Sequence, residues 1–343
     1  MADGMYRIGV VGAGSLVGKE LADELHESLL AASDFVLLDD EDVTGQVASV
    51  GDEAVFIQRI EPGSFDRMDF VFFAGSAAST KKYIGAARSS GASLIDLSGA
   101  LEPEKGVLVR APWVEPGDQK AAGPNLGTPA VVAAHPAAVM LALVAGRIHA
   151  VTQIRSLAAT VVEPASQQGR EAMDELHQQT VNLLSFQNLP KDQYDAQVAF
   201  NILPSLGDEA KVNLLSTEEL INRHYQLIGA GKLPVLDLEL VQAPVFHGYV
   251  ASLLVELQAA STVEVLERAL AGESVDIVAD DSDPPSNLSA AGQEDIMVRV
   301  RSAGVSGTRF WVWLAADNLK LSALNAIACA NELRRLRPRG KVQ

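Results

Sequence analysis

The chain carries one cysteine, Cys329, among its 343 residues. That excludes an intramolecular disulfide framework and any cysteine-based metal cluster, and it suits a reducing cytoplasm, where we expect the protein to reside. Cationic side chains are scarce as well: 27 Lys and Arg stand against 44 Asp and Glu, for a formal net charge of −17. Nucleic-acid binding depends on Lys and Arg neutralising phosphates, so this balance argues against it, and acidity of this kind serves mostly solubility. The one basic cluster, Arg334-Arg335-Leu336-Arg337-Pro338-Arg339, reads as cation placement at a helix C-terminus. The longest apolar run, Val131 to Ala145, contains His135 and Pro136, is too short to span a bilayer, and reads as a buried helix, so no membrane role is expected. No basic segment followed by an apolar one opens the chain, so no signal peptide is expected.

Hydrophobic residues make up 48% of the chain and charged residues 21%, which is ordinary for a globular protein long enough for two domains. Tyr6 to Val11 form an apolar strand that runs into Gly12-Ala13-Gly14-Ser15-Leu16-Val17-Gly18, and an amphipathic stretch follows from Lys19 to Leu30. This is a strand, a glycine-rich turn and a helix. The glycines let the backbone turn tightly and approach a diphosphate, whose charge the helix N-terminus stabilises. Val17 stands where the third glycine of Gly-x-Gly-x-x-Gly would fall, so a tight turn without a ligand remains an alternative. A second strand, Phe35 to Leu38, ends in Asp39-Asp40-Glu41-Asp42; a strand (Phe70 to Phe73), a helix (Ala78 to Ser89) and a strand (Ser93 to Leu97) follow. Such alternation implies a parallel sheet covered on both faces.

Beyond Thr128 the pattern changes. A helix from Pro129 to Ile148 leads to a long strand, Val151 to Val162, then a helix around Gly169 to Leu184 and strands near Val235 to Val241 and Tyr249 to Gln258. Strands at Ile296 to Arg301 and Thr308 to Ala315 precede a final helix beginning near Asn318, with a polar loop at Asp280 to Gln293. Long neighbouring strands with few glycines suit a mainly antiparallel sheet with helices on one face.

Several segments, in one order, resemble aspartate-semialdehyde dehydrogenases over nearly the full length. They are Gly12 to Gly18, Ile95-Asp96-Leu97-Ser98-Gly99-Ala100, Gly123-Pro124-Asn125-Leu126-Gly127-Thr128, Ala199-Phe200-Asn201-Ile202-Leu203-Pro204, Ala243-Pro244-Val245-Phe246-His247-Gly248, and Ala316-Asp317-Asn318-Leu319 with Asn325-Ala326. The resemblance implies an α/β protein of an amino-acid biosynthesis family. A Rossmann-type nucleotide-binding domain would span residues 1–128 with 317–343, and an α+β dimerisation and catalytic-like domain residues 129–316. It further implies a last helix packed back onto the first domain, a homodimer or higher homo-oligomer, and nucleotide contacts at Gly12, Gly14, Ser15, Leu16, Val17, Gly18, Asp39, Ser98 and Asn318. Ser15 departs from the family turn, which has glycine there.

The reaction implied by the resemblance needs a cysteine nucleophile on a strand-to-helix turn, a histidine that moves protons, and arginines for the substrate carboxylate and for phosphate. Matching the motifs puts Leu126 in the nucleophile's place, Tyr249 in the histidine's, Gln242 in the carboxylate-binding arginine's, Glu163 in an active-site glutamine's and Glu102 in the phosphate-binding arginine's. A leucine forms no covalent intermediate, and a carboxylate at residue 102 repels phosphate. Concerted loss of this kind resembles the Usg subgroup, a homologue without the parent activity that acts as a nucleotide- or partner-binding subunit. Asp39-Asp40-Glu41-Asp42 favours ribose hydroxyls, so NADP is expected to bind poorly and NAD remains the candidate cofactor. The alternative is an NAD-dependent oxidoreductase acting on an aldehyde or oxo group without a covalent intermediate, with Tyr249 as proton donor; the Tyr249 ring could equally fill space vacated by substrate. Cys329 reads as core packing, and His135 and His247 as structural or solvent-facing, since no metal-ligand spacing accompanies either.

Overall fold

The computed structural model describes residues 6–30, 34–40, 45, 47–50, 53–114 and 123–336. The chain divides into two compact units, Met1–His135 with Ser322–Gln343, and Pro136–Leu321.

In the first unit, β1 (Arg7–Val11) leads through α1 (Leu16–Glu27) to β2 (Asp34–Asp39); β3 (Val47–Val50) and β4 (Glu53–Phe56) form a separate hairpin. Then come β5 (Gln58–Arg59), β6 (Phe70–Phe73), α2 (Ala77–Ser89), β7 (Ser93–Asp96), β8 (Leu108–Arg110) and β9 (Val131–Ala133). Seven strands form one sheet in the order β5-β2-β1-β6-β7-β9-β8, and each neighbouring pair is parallel. Every residue of β6, Phe-Val-Phe-Phe, is buried, because a parallel sheet is covered on both faces. On one face Ile8, Val10, Phe70 and Phe72 pack with Leu21 and Leu25 of α1 and with Ala326, Cys329 and Leu333 of the chain's last helix. On the other, Val11, Val71 and Phe73 pack with Ala87 and Leu101.

The second unit opens with α3 (Pro136–Val151), followed by β10 (Ile154–Glu163), α4 (Arg170–Leu184), α5 (Leu214–Ile228), β11 (Leu236–Gln242) and β12 (Tyr249–Leu257). It continues with α6 (Val263–Leu270), β13 (Val275–Ile277), α7 (Asn287–Ala290), β14 (Ile296–Ser302), β15 (Arg309–Ala316) and the start of α8 (Asn318–Arg334). The sheet order is β11-β10-β12-β15-β14-β13. Its central pairs are antiparallel, but β10 with β11 and β13 with β14 are parallel. The sheet is therefore mixed: the antiparallel expectation holds for the three central pairs and fails at the two edge pairs, β10 and β11 being joined by a helical crossover through α4 and α5 instead of a hairpin. Among the described residues no helix is long and apolar enough to cross a membrane.

The apolar run from Val131 to Ala145 is not one helix. Val131-Val132-Ala133 is a strand of the parallel sheet, and α3 begins at Pro136. Proline lacks an N–H and disfavours helical geometry in the residue before it, so it starts a helix well and stops one from extending upstream. Because β9 belongs to the first sheet, the boundary falls after His135 rather than after residue 128, and Asp317 to Leu321 belong to the second unit.

Candidate functional site

The glycine turn after β1 is built by two close approaches. Gly12 has φ +81°, and a Cβ there would lie 2.3 Å from the Gly75 nitrogen; a Cβ on Gly18 would lie 2.1 Å from the Gly12 oxygen. Gly12 thus lets β1 pass the turn after β6, and Gly18 lets α1 start directly against the loop. Ser15, where the family has glycine, is the N-cap of α1: its Oγ accepts from the Gly18 N–H at 2.9 Å and donates to the Ala74 carbonyl at 2.8 Å. Inside the loop, Gly12 and Ala13 N–H groups donate to the Leu38 carbonyl and Ser15 N–H donates to Gly12. Leu16 and Val17 occupy the first turn of α1, whose N–H groups have no intrahelical acceptor. That is the donor set an anionic diphosphate requires, and the residues present fit a dinucleotide.

Asp39 closes β2. Its Oδ2 accepts the Gly14 N–H at 2.7 Å and its Oδ1 the Asp40 N–H at 2.8 Å, so the carboxylate is fixed against the turn. Asp40 Oδ1 accepts from Lys82 Nζ at 2.8 Å and from the Tyr83 hydroxyl at 2.5 Å. These two hydrogen bonds, Lys82 first, hold the Asp40 carboxyl below its ordinary value. Glu41 and Asp42 lie outside the described residues. No sequence signal joined Asp40 to residues 82 and 83, because the contact is made across the sheet's end by α2.

The loop after β7 is organised by Asp96, which is fully buried. It accepts from Ser98 N–H at 2.8 Å, Ser98 Oγ at 2.6 Å and Leu101 N–H at 2.9 Å, while burial raises its carboxyl above the usual range. Ser98 Oγ also lies 2.9 Å from Thr80 Oγ1, tying the loop to α2. Glu102 follows in this loop, its N–H donating to Gly99.

Leu126 does not sit on a strand-to-helix turn. Gly127 N–H donates to Asn125 Oδ1 at 2.8 Å and Thr128 N–H to the Asn125 carbonyl, closing a turn that feeds the start of β9. The glycine turn follows β1, whereas the Leu126 turn precedes β9; since all the intervening pairs are parallel, the two lie at opposite ends of the sheet. Ligands of open parallel sheets bind at the carboxyl ends of the strands. Leu126, 83% exposed, borders a cleft of about 300 Å³ with Arg88, Ser93 and Leu336 at the amino ends instead. The strand-to-helix turn is Ala134-His135, leading from β9 into Pro136 of α3.

In the second unit, three of the matched positions converge. β10 and β11 put Glu163 and Gln242 in register, and Tyr249 opens β12. The Tyr249 hydroxyl donates to Glu163 Oε2 at 3.0 Å and Gln168 Nε2 to Glu163 Oε1 at 2.7 Å. Gln242 Nε2 donates to the Glu163 and Ala243 carbonyls, each at 3.1 Å, and among the described residues Gln242 Oε1 finds no donor. Glu163, Gln242 and Tyr249 are fully buried. Burial pushes the Glu163 carboxyl up to about 7, against the opposing hydrogen bonds from Gln168 and Tyr249. Burial, with the Glu163 charge beside it, raises the Tyr249 phenol as well. Sequence reasoning missed Gln168, which reaches back from a single 3-10 turn with no periodic signal.

Asn318 offers no exposed amide to a nucleotide. It is fully buried: Oδ1 accepts from Ser166 Oγ and Gly248 N–H, each at 3.0 Å, and Nδ2 donates to Gln167 Oε1 at 3.1 Å. Its place at the start of α8 makes it the fastener of the loops after β10 and β11. Asp317 caps the same helix, accepting from Leu319 and Lys320 N–H groups. His247 is half-buried beside Gly248, and His135 is buried at the entrance to α3. Cys329 is buried in α8, its Sγ 3.7 Å from the Arg110 carbonyl, as core packing requires.

Residues 7–123 match the semialdehyde dehydrogenase NAD-binding domain and residues 146–321 the semialdehyde dehydrogenase dimerisation domain. The chain belongs to the semialdehyde dehydrogenase family. A relative described as USG-1 protein homolog, from Azotobacter vinelandii, is 31% identical over 331 residues, 95% of this chain and 97% of the relative. An aspartate-semialdehyde dehydrogenase of Rickettsia bellii is 26% identical over 338 residues, 96% of this chain and 97% of that protein. Among solved structures, a probable aspartate-semialdehyde dehydrogenase from Pseudomonas aeruginosa superposes with a TM-score of 0.83 at 27% identity, covering 97% of this chain and 99% of that one. For this family member, the matched domains fit the parallel unit with the glycine turn and the mixed-sheet unit with the Glu163 cluster.

Proposed function

We propose that this member of the semialdehyde dehydrogenase family no longer runs the parent reaction and serves as a nucleotide- or partner-binding subunit of a cytoplasmic homodimer or larger homo-oligomer. The observation that carries this is the strand-to-helix turn. From Ala134 to Ala138 it reads Ala-His-Pro-Ala-Ala, with neither thiol nor hydroxyl, and the only cysteine is buried in α8. The conclusion first attached to Leu126 therefore stands on a different segment: the place for a covalent nucleophile holds none. A neutral Gln242 and an acidic Glu102 add the loss of cationic anchors for a carboxylate and a phosphate.

The retained function is nucleotide binding at Gly12, Gly14, Ser15, Leu16, Val17 and Gly18, with Asp39 accepting from ribose hydroxyls; NAD is the expected ligand and NADP the disfavoured one. Calorimetric titration of nucleotide-free protein tests this. Saturable NAD binding without phosphate-dependent reduction of NADP by aspartate semialdehyde supports the reading, and turnover in that assay overturns it. The Glu163–Tyr249 pair favours one other reading, an NAD-dependent oxidoreductase without a covalent intermediate, because a carboxyl that titrates near 7 can hold and release a proton. NADH oxidation by a small aldehyde or ketone, abolished in Tyr249→Phe, would select it.

A further inference from the structure

We propose that Asp40 sets the nucleotide preference of this chain by holding Lys82 in an ion pair, so that the ammonium is withheld from a 2′-phosphate. The inference rests on the reading of the glycine turn as a nucleotide site, and it assigns the selecting role to a contact between two elements rather than to acidity at the strand end alone.

The geometry is local to the first unit. Asp39 Oδ2 lies against the Gly14 N–H, which puts the end of β2 beside the turn that would carry the diphosphate. The next residue, Asp40, receives Lys82 Nζ at 2.8 Å and the Tyr83 hydroxyl at 2.5 Å on the same oxygen, Oδ1. Lys82 and Tyr83 lie on α2, whose entry is fixed to the glycine turn by the Ser15 Oγ bond to Ala74 and by the approach of Gly75 to Gly12. Lys82 therefore stands at the carboxyl end of the sheet, with its ammonium already matched to a carboxylate and 4.7 Å from the Tyr83 ring centroid. An exposed pair of this kind adds little to stability. Its consequence is in the local field: a 2′-phosphate arriving beside Asp39 and Asp40 meets two carboxylates and a cation that is already neutralised, whereas a ribose hydroxyl needs only the Asp39 carboxylate as acceptor. Arg59, the register partner of Asp39 on β5, is unchanged in every comparison below.

Calorimetry with NAD and with NADP on the wild type, Asp40→Asn and Asp40→Asn/Lys82→Ala tests the proposal. The amide keeps an acceptor for Tyr83 and removes the charge. NADP affinity should rise about tenfold in Asp40→Asn, as expected for freeing one ammonium to pair with a phosphate dianion in a largely aqueous setting. NAD affinity should stay within about twofold, and the gain should shrink as salt is added and vanish in the double variant. Unchanged NADP affinity in Asp40→Asn, with NAD still bound, refutes the Asp40 role and leaves the nucleotide site standing. A gain that survives Lys82→Ala refutes the clamp, since relief of repulsion alone would then explain it. If folded wild type and variants bind neither nucleotide, the glycine-turn reading falls and the inference with it. Asp40→Ser repeats the comparison, so that the result does not hang on the folding of one variant.

Discussion

Glu163 should make the stability of the second unit fall as pH rises from about 4.5 to about 7. Its carboxyl has an ordinary value of 4.5 and is pushed to about 7 by complete burial. Between those values the folded state holds a proton that the unfolded chain has released. Stability therefore declines with rising pH across this window, is fully present below it and fully lost above it. At about 1.4 kcal/mol per pH unit, the ionised carboxylate costs the folded protein about 3 kcal/mol above pH 7. Glu163→Gln cannot ionise, and its amide still offers an oxygen to Tyr249 or Gln168. The variant's stability relative to wild type should accordingly climb by about 3 kcal/mol between pH 4.5 and pH 8. Urea titrations at several pH values would measure this, followed by tryptophan fluorescence, since Trp311 and Trp313 lie on β15 in the same sheet as Glu163. The hydrogen bond from Tyr249 favours the ionised carboxyl, so in Tyr249→Phe the decline should extend to higher pH. A difference between wild type and Glu163→Gln that stays flat from pH 5 to pH 8 would refute the reasoning.

Two further outcomes are expected. Leu126→Cys should give a thiol that reacts rapidly with a disulfide reagent while Cys329 stays protected until unfolding, and it should yield no phosphate-dependent NADP reduction; substantial turnover would mean that the Leu126 turn reaches the chemistry after all. Gly18→Ala puts a Cβ 2.1 Å from the Gly12 oxygen, so it should weaken NAD binding by at least about tenfold and cost roughly 2 kcal/mol of stability, checked by calorimetry and by the urea midpoint.

The parallel unit was legible because its signals are local. Phe70 to Phe73 is an uninterrupted apolar strand, Gly12 to Gly18 is a glycine turn, and each lies next to its own helix in sequence. The sheet of the second unit was half legible. Periodicity located β10, β11, β12, β14 and β15 within a few residues, but strand direction depends on what connects β10 to β11, and α5 gave no recognised signal. The site suffered from one apolar run. Val131 to Ala145 contains both a short strand and a helix, which hydrophobicity alone does not separate. Taking it as one helix moved the strand-to-helix turn upstream to Leu126, when Pro136 marked the true start. Glu163, Gln242 and Tyr249 were found by motif and do meet, because strand register carries them together.

The last helix gives the first unit an unusual order of assembly. Arg110, 5% exposed, donates through Nε and Nη2 to both carboxylate oxygens of Glu332, at 3.0 and 2.7 Å, and Asn325 Nδ2 donates to the Arg110 carbonyl. One face of the parallel sheet is closed by Ala323, Ala326, Ile327, Ala330 and Leu333. These residues leave the ribosome only after the whole second unit has been made. Domains generally fold in the order of synthesis, but here the N-terminal sheet must wait with an apolar face uncovered until the second unit has been translated. The unit encoded first is the one completed last, and a chain interrupted before Ser322 would lose the closing layer of the N-terminal unit rather than anything from the C-terminal one.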